Sequence, residues 1–354
     1  MKFLAAFLIP LLYSTPTFAD YADDALSAIH TLQDKYYNFD TGLWARQWWQ
    51  SGNIVETIAR LGRHDPNFRD TAVNIISNTY AKSGNQFGYK AWKNDYYDDE
   101  GWWAMAWIAS YDLTGDIKYL NTAKDLFEDM TGGWNTPCGG GIWWSKKRKN
   151  IAAISNELFL DVGAHLANRH SGAEKQEYVR WAQMEWDWFS KSGIINQKGL
   201  INDGIDVDTC KNDGKNTFTY NQGVVLAGLS ELSRAGVGAS PAAAYLSSAN
   251  DIASAVLTQL TEGGILVEPV ASDSLDDTSG QFKGAFVRGL STLNEWKPQA
   301  KYANFLKKNA DASWSRPKVD GGVIVDAWQG GSSRGDASSH ASGIDVLVAA
   351  FMAG

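Results

Sequence analysis

The chain is poor in cysteine, histidine and basic charge, and each shortage excludes a class of function. Two cysteines among 354 residues cannot form a disulfide-dense scaffold. With five scattered histidines they show no metal-ligand spacing, so no metal or other cofactor is expected. Lys and Arg number 32 against 40 Asp and Glu, a net charge of −8. A nucleic-acid footprint needs a basic patch, so no nucleic-acid partner is expected. Long apolar runs are missing too. Phe3–Leu12 has about ten apolar residues, too few to span a bilayer. It follows Lys2 and precedes the small-x-small sequence Thr17-Phe18-Ala19, so residues 1–19 read as a cleaved export signal. The expected mature protein is secreted, starts near Asp20 and has no membrane contact after cleavage. In that compartment Cys138 and Cys210 are expected to pair, closing a loop of about 70 residues worth about 4 kcal/mol. No Pro-rich or Ser-rich linker and no Asn-x-Ser/Thr sequon is present. Residues 20–354 are expected to form one domain, a monomer.

Aromatic residues are what the chain has in excess. It carries 16 Trp, 14 Tyr and 14 Phe, more indole than a core ordinarily needs. Flat apolar faces in that number suggest a sugar-binding cleft.

Hydrophobic spacing predicts twelve helices, punctuated by Gly, Pro and Asn/Asp clusters. They are 21–37, 48–61, 68–82, 99–113, 117–130, 152–168, 173–191, 220–234, 241–260, 281–294, 298–314 and 340–352. The even-numbered ones are richer in Gly, Ala and aromatics, and the odd-numbered ones carry charge on one face. A helix apolar all round is buried and an amphipathic one lies outside. The alternation therefore predicts an all-α fold, an (α/α)6 barrel with six inner and six outer helices. An open solenoid is the rival, but no repeat consensus is visible. Loops entering the inner helices hold the Gly, Asn, Asp and Trp and should build one functional face.

The sharpest segment is Asn94-Asp95-Tyr96-Tyr97-Asp98-Asp99-Glu100-Gly101-Trp102-Trp103, at the start of an inner helix. Asp98 there suits an N-cap, with Asp99 and Glu100 complementing the helix dipole. The flanking aromatics point further. Hydrolysis of a sugar acetal with retention needs two carboxyl groups about 5–5.5 Å apart, one nucleophile and one acid/base. Aromatic walls and a neighbouring carboxylate both raise the pKa of the acid. Asp98 and Asp99 are therefore the catalytic candidates.

That segment, with Ala106-Trp107, resembles the signature of glycoside hydrolase family 76, the α-1,6-mannanases, which also include fungal cell-wall transglycosidases. Trp48-Trp49-Gln50-Ser51-Gly52-Asn53, Cys138-Gly139-Gly140-Gly141-Ile142-Trp143-Trp144 and Asn150–Glu157 are similar to further family segments, in order. So are Thr219–Gly223 and Phe282-Lys283-Gly284. The resemblance implies an (α/α)6 fold and a retaining double displacement on α-1,6-mannan or mannooligosaccharides. It implies Asp98 as nucleophile and Asp99 as acid/base, with no metal. The chain ends on its last helix, and 268–274 holds no cysteine. Both points favour a hydrolase over a wall transglycosidase, while a transglycosidase or a non-hydrolytic mannan-binding protein stays open.

Further residues are expected to touch substrate. Successive helical residues point about 100° apart, so one member of each Trp-Trp pair should face the cleft. Trp49 and Trp102 are assigned there, with Tyr97. Asn53 and Asn156 lie in the matching segments. Asp206 in the loop 202–208 suits hydroxyl recognition, although a calcium loop or a plain solvated turn would also fit. Tyr220, Asn221, Gln222 and Lys283 open inner helices on the expected functional face.

Overall fold

The computed structural model describes residues 20–270, 275–331 and 334–354. The expected export signal, 1–19, lies outside the described residues, as does 271–274.

Among the described residues twelve α-helices alternate between two layers, as the periodicity predicts. The inner ones are α2 (Trp49–His64), α4 (Tyr97–Thr114), α6 (Ala153–Arg169), α8 (Thr219–Arg234), α10 (Phe282–Trp296) and α12 (Ala337–Met352). The outer ones are α1 (Tyr21–Tyr36), α3 (Arg69–Ser83), α5 (Ile117–Thr131), α7 (Gly172–Phe189), α9 (Ala239–Gln259) and α11 (Ala300–Ser315). α6 is buried from Ala153 to Ala167 and α12 from Ala337 to Ala350. α5 buries only the stripe Tyr119, Leu120, Ala123, Leu126, Phe127 and Met130. Each inner helix packs on the next, and α12 packs back on α2, so the ring is closed and an open solenoid is excluded.

Glycine lets the ring be narrow. A Cβ on Gly223 would lie 2.3 Å from Phe286 Cα, and one on Gly289 would lie 1.9 Å from the Gly223 carbonyl oxygen. α8 and α10 therefore meet backbone to backbone.

Local chemistry sets the helix ends. Gly115 takes φ 73° and its N–H closes onto the Tyr111 carbonyl at 2.8 Å, ending α4. Asp336 and Ser339 form a capping box that starts α12 three residues before the expected His340. α4 starts at Tyr97, with Tyr96 as the cap residue, so Asp98 lies inside the first turn and is not the N-cap.

Connections from inner to outer helices are short turns. Those from outer to inner helices are long, and among the described residues four of the six carry short strands. β1 (Tyr37–Asn38) pairs with β2 (Leu43–Trp44), and β6 (Thr261–Glu262) with β7 (Ile265–Leu266). β3 (Ile151–Ala152), β4 (Gly204–Asp206) and β5 (Lys211–Asn212) form one antiparallel sheet, in register Ile151 with Ile205 and Ile205 with Asn212. All these loops lie at the N-terminal mouth of the inner ring, and the sheet joins two of them into one wall.

Charge fills the barrel axis below that mouth. Arg288 donates from Nη1 to Asp345 at 2.7 Å and from Nη2 to Asn53 at 2.7 Å, and its Nε lies 3.3 Å from Glu56. Thr57 donates its hydroxyl to Asp345. Removing one partner of a buried ion pair costs about 3–5 kcal/mol, because it leaves an uncompensated charge. Arg288→Met is accordingly expected to lower unfolding free energy by about that amount in urea melts. A loss under about 1 kcal/mol would show that the axis tolerates the bare carboxylates.

Candidate active site

The barrel mouth opens into a cleft of about 760 Å³. Asp98, Asp99 and Trp102 reach it from the first turns of α4, and Trp49 reaches it from the start of α2. Trp49 stacks on Trp102, centroids 5.8 Å apart at 25°. Their sequence neighbours turn inward: Trp48 packs on Trp103, and Trp103 stacks on Trp107 at 5.4 Å. Trp143 is buried and Trp144 lines the cleft. Each Trp-Trp pair thus divides between wall and core, as the helical angle requires for the first two.

The two aspartates sit in different polar environments. Asp98 Oδ2 accepts from the Trp144 indole N–H at 3.0 Å, and Asp98 Oδ1 is buried with no hydrogen bond. Asp99 Oδ2 accepts from the Asn94 side-chain amide at 2.6 Å. Burial pushes Asp98 up to about 6, while the Trp144 bond and backbone N–H groups pull the other way. Asp99 goes well above the ordinary carboxylate range through burial and the charge of Asp98. Both carboxyls are thus raised above the ordinary range, as burial and the mutual repulsion of a close pair require. Glu100 turns away from the cleft. It accepts from Lys146 Nζ at 2.7 Å, and Lys146 also reaches Asp129 at 2.7 Å.

Of the residues expected to touch substrate, Trp49, Trp102, Asp206 and Tyr220 line the cleft. Asp206 is at the rim and spends Oδ1 on the Thr209 N–H and hydroxyl, both at 2.8 Å. Tyr220 stacks on Phe282 at 4.0 Å, its hydroxyl 3.5 Å from Asp203 Oδ1.

The other six do not line the cleft. Tyr97 is buried under Gly133, where an added Cβ would touch its ring at 2.7 Å, so Tyr96 faces the cleft instead. Asn53 binds Gln281 at 3.0 Å and Arg288 in the axial network. Asn156 accepts from the Ile142 N–H at 2.7 Å and donates to the carbonyls of Ile142 and Ala152. Gln222 repeats the pattern, accepting from the Ile201 N–H at 2.8 Å and donating to the carbonyls of Ile201 and Phe218. Both amides pin loops. Asn221 is fully buried without a hydrogen bond. Lys283 is buried against Trp328, its Nζ 4.2 Å from the ring centre and bonded to the Asp326 carbonyl. Burial pulls that ammonium down to about 8.

Sequence reasoning missed Asn94, Tyr96, Trp144, Asp203 and Phe282 as site residues. Asp203 lines the cleft, and burial raises its pKa. It stands in the same acidic stretch as Asp206, but only the β3–β4 pairing shows which carboxylate turns inward. Among the described residues no group of three or more His, Cys, Asp or Glu is placed to hold a metal ion. A second cavity of about 240 Å³ lies at the opposite end of the barrel among ion pairs and holds none of the candidates.

Paired carboxyls at the mouth of a helical barrel walled by indoles suit glycoside hydrolysis. The model of Glycosyl hydrolase family 76 matches residues 19–353, and the chain belongs to that family. The mannan endo-1,6-alpha-mannosidase DCW1 of Candida albicans is 26% identical over 208 residues, covering 53% of this chain and 45% of DCW1. The chain thus spans about half the length of the curated relatives it matches. An inactive α-1,6-mannanase of Salegentibacter sp. HEL1_6, with two consecutive aspartates replaced by alanine, has been solved with an α-1,6-mannotetraose. It superposes with a TM-score of 0.79 at 22% identity, covering 95% of this chain and 100% of that one. Dfg5 of Chaetomium thermophilum, solved with glucosamine, gives a TM-score of 0.80 at 16% identity over 96% of this chain and 92% of that one. Both likenesses concern the fold.

A disulfide ties the cleft wall. Cys138, in the Gly-rich loop before α6, bonds Cys210, just beyond the Asp206 turn, with Cα atoms 5.2 Å apart. Cys138→Ser should destabilise the fold by about 4 kcal/mol in the chain-entropy account. The check is a thermal melt of the variant beside the oxidised wild type. Equal melting temperatures would mean that the bond contributes nothing.

Proposed function

We propose that this chain is an exported, retaining endo-α-1,6-mannanase that acts as a monomer. Residues 1–19 are its cleaved export signal and 20–354 its single catalytic domain. The observation that carries the reading is the pair Asp98 and Asp99, adjacent in sequence and both raised in pKa by burial, inside an aromatic cleft. The names of the relatives and the mannotetraose in the Salegentibacter enzyme support mannan as the substrate.

The chemistry follows from the two environments. Asp98 Oδ1, the oxygen without a hydrogen bond, attacks the anomeric carbon of a mannosyl residue. Asp99 gives its proton to the departing O6, and the C1–O6 bond breaks. A glycosyl ester on Asp98 remains. Asp99, now ionised, takes a proton from water as the water attacks C1, and the ester bond returns its electron pair to Asp98. Two inversions leave the α configuration. Trp49 and Trp102 give flat faces for the sugar, and Asp203 accepts from its hydroxyls.

The first test is incubation with linear α-1,6-mannan, read by mass and by anomeric NMR. Short α-configured oligosaccharides should appear early. Asp98→Asn and Asp99→Asn should each lower turnover by about a thousandfold or more while leaving the melting temperature intact. Near-full activity in either variant, or a β product, overturns the assignment. Products longer than the substrate would redirect it to transglycosylation.

The same geometry sets a pH profile. Activity should fall on the acid side as Asp98 is protonated near pH 6, and on the alkaline side as Asp99 loses its proton. Trp144→Phe removes the donor that favours the Asp98 anion, so the acid limb should move up by about one pH unit. An unmoved acid limb would mean that Asp98 is not the group titrating there.

A further inference from the structure

A third cavity, about 490 Å³, opens on the outer surface behind the cleft wall. It is lined by Trp134, Cys138, Met184, Asp187, Trp188 and Lys191. The two cavities share a partition. Val207 lines the catalytic cleft, and its carbonyl oxygen lies 3.9 Å from Cys138 Sγ. The Cys138–Cys210 bond therefore runs between them as a fixed rim.

Both indoles are held rigidly. Trp188 donates its N–H to the Cys138 carbonyl at 3.0 Å and covers Gly140 and Gly141, where a Cβ would touch its ring at 2.7 Å. Trp134 stacks on Phe159 at 5.9 Å and meets the edge of Trp181. Each is half-buried on its packed side and adds apolar surface to the cavity. At its edge Asp187 and Lys191 are exposed, and neither side chain makes a hydrogen bond or ion pair among the described residues. Preformed aromatic faces beside an uncommitted carboxylate and ammonium suit a pyranose. Its C–H face packs on indole, and its hydroxyls donate to the carboxylate and accept from the ammonium.

We propose that this outer cavity is a distal subsite that binds a mannosyl residue of the same chain whose cleavage occurs across the disulfide rim. The inference rests on the mannanase reading above. An O6-linked chain has an extra rotatable bond at every linkage, so it can bend over a rim that a stiffer glycan would not follow. Holding the polymer at a second point raises its effective concentration at the cleft without touching the chemistry. Short substrates that end inside the cleft gain nothing from it.

The test compares polymer with a short oligosaccharide. Asp187→Ala/Lys191→Ala removes only exposed, uncommitted side chains. It should raise KM for linear α-1,6-mannan about fivefold at unchanged kcat. Hydrolysis of mannotetraose should stay at the wild-type rate. Trp134→Phe keeps the packing on Phe159 while trimming the indole and should act in the same direction. In the inactive Asp98→Asn/Asp99→Asn protein, calorimetry with mannooligosaccharides of rising length should show a late gain in affinity, lost when the Asp187 and Lys191 changes are added. Unchanged polymer KM in both variants overturns the subsite, and so does an equal loss on mannotetraose. Wild-type protein that cleaves no α-1,6-mannan overturns the mannanase reading instead, while a length-dependent affinity lost with Asp187 and Lys191 would still support a second glycan site.

Discussion

Six helices buried on every side leave their N-terminal ends at one mouth, and the polar groups gathered there cannot all turn to water. This constraint shapes the rest of the molecule. Unpaired backbone groups in a buried loop cost as much as lost hydrogen bonds. The chain answers with polar side chains from the first turns of the inner helices. Asn156 takes both the N–H and the carbonyl of Ile142, and Gln222 does the same for Ile201. Each also returns one N–H to a carbonyl four residues back on its own chain. Ser51 does a smaller version, accepting from the Trp44 N–H at 3.1 Å while donating to Gln47. Asn156 looks like a sugar ligand in sequence because it is polar and at the mouth. It is buried because the loop needs it more than the cleft does.

The pins carry through to the reacting groups. Fixing Ile142 fixes the two indoles that follow, and Trp144 then stands where its N–H meets Asp98. Fixing Ile201 places Asp203, two residues on, beside Tyr220. The three acids at the start of α4 would be near equivalents on a solvated helix. Here one is held by an indole N–H, one by an amide, and one by the Lys146 ammonium, which Asp129 shares. The helix N-terminus favours their charge, and burial opposes it. The difference between Asp98 and Asp99 comes from what the loops bring to each, together with the α4 backbone N–H groups at Asp98 and the charge of Asp98 on Asp99.

That division explains what was legible in the sequence. Helix order and the two layers follow from periodicity and burial pattern, which are local, whereas the closing of the ring is seen only in the packing of α12 on α2. The Asp98-Asp99 segment was legible because adjacent acids among aromatics at a helix start stand out. The expected helix start at 99 brings Tyr97 to the cleft, whereas the actual start at Tyr97, two residues earlier, turns Tyr96 there. Asp203 was passed over for Asp206 because strand pairing between residues far apart decides which acid faces the cleft. Lys283 was misplaced for a related reason. Its long stem sinks against Trp328, and its ammonium finds a carbonyl inside, which a count of polar residues near a helix start does not reveal.

The charge of the cleft also argues for the kind of glycan it admits. Asp98, Asp99, Asp203, Asp206, Asp208 and Asp213 line it, against Lys149 and Lys215. Even with Asp99 protonated, anionic groups outnumber ammonium groups across the mouth. A neutral polysaccharide meets this field only through hydroxyl dipoles, for which carboxylates are good acceptors. A polyanionic chain would meet like charge in a low-dielectric cleft, where the repulsion is poorly screened. On the reading proposed above, this field favours an uncharged glycan over a phosphorylated or uronic one.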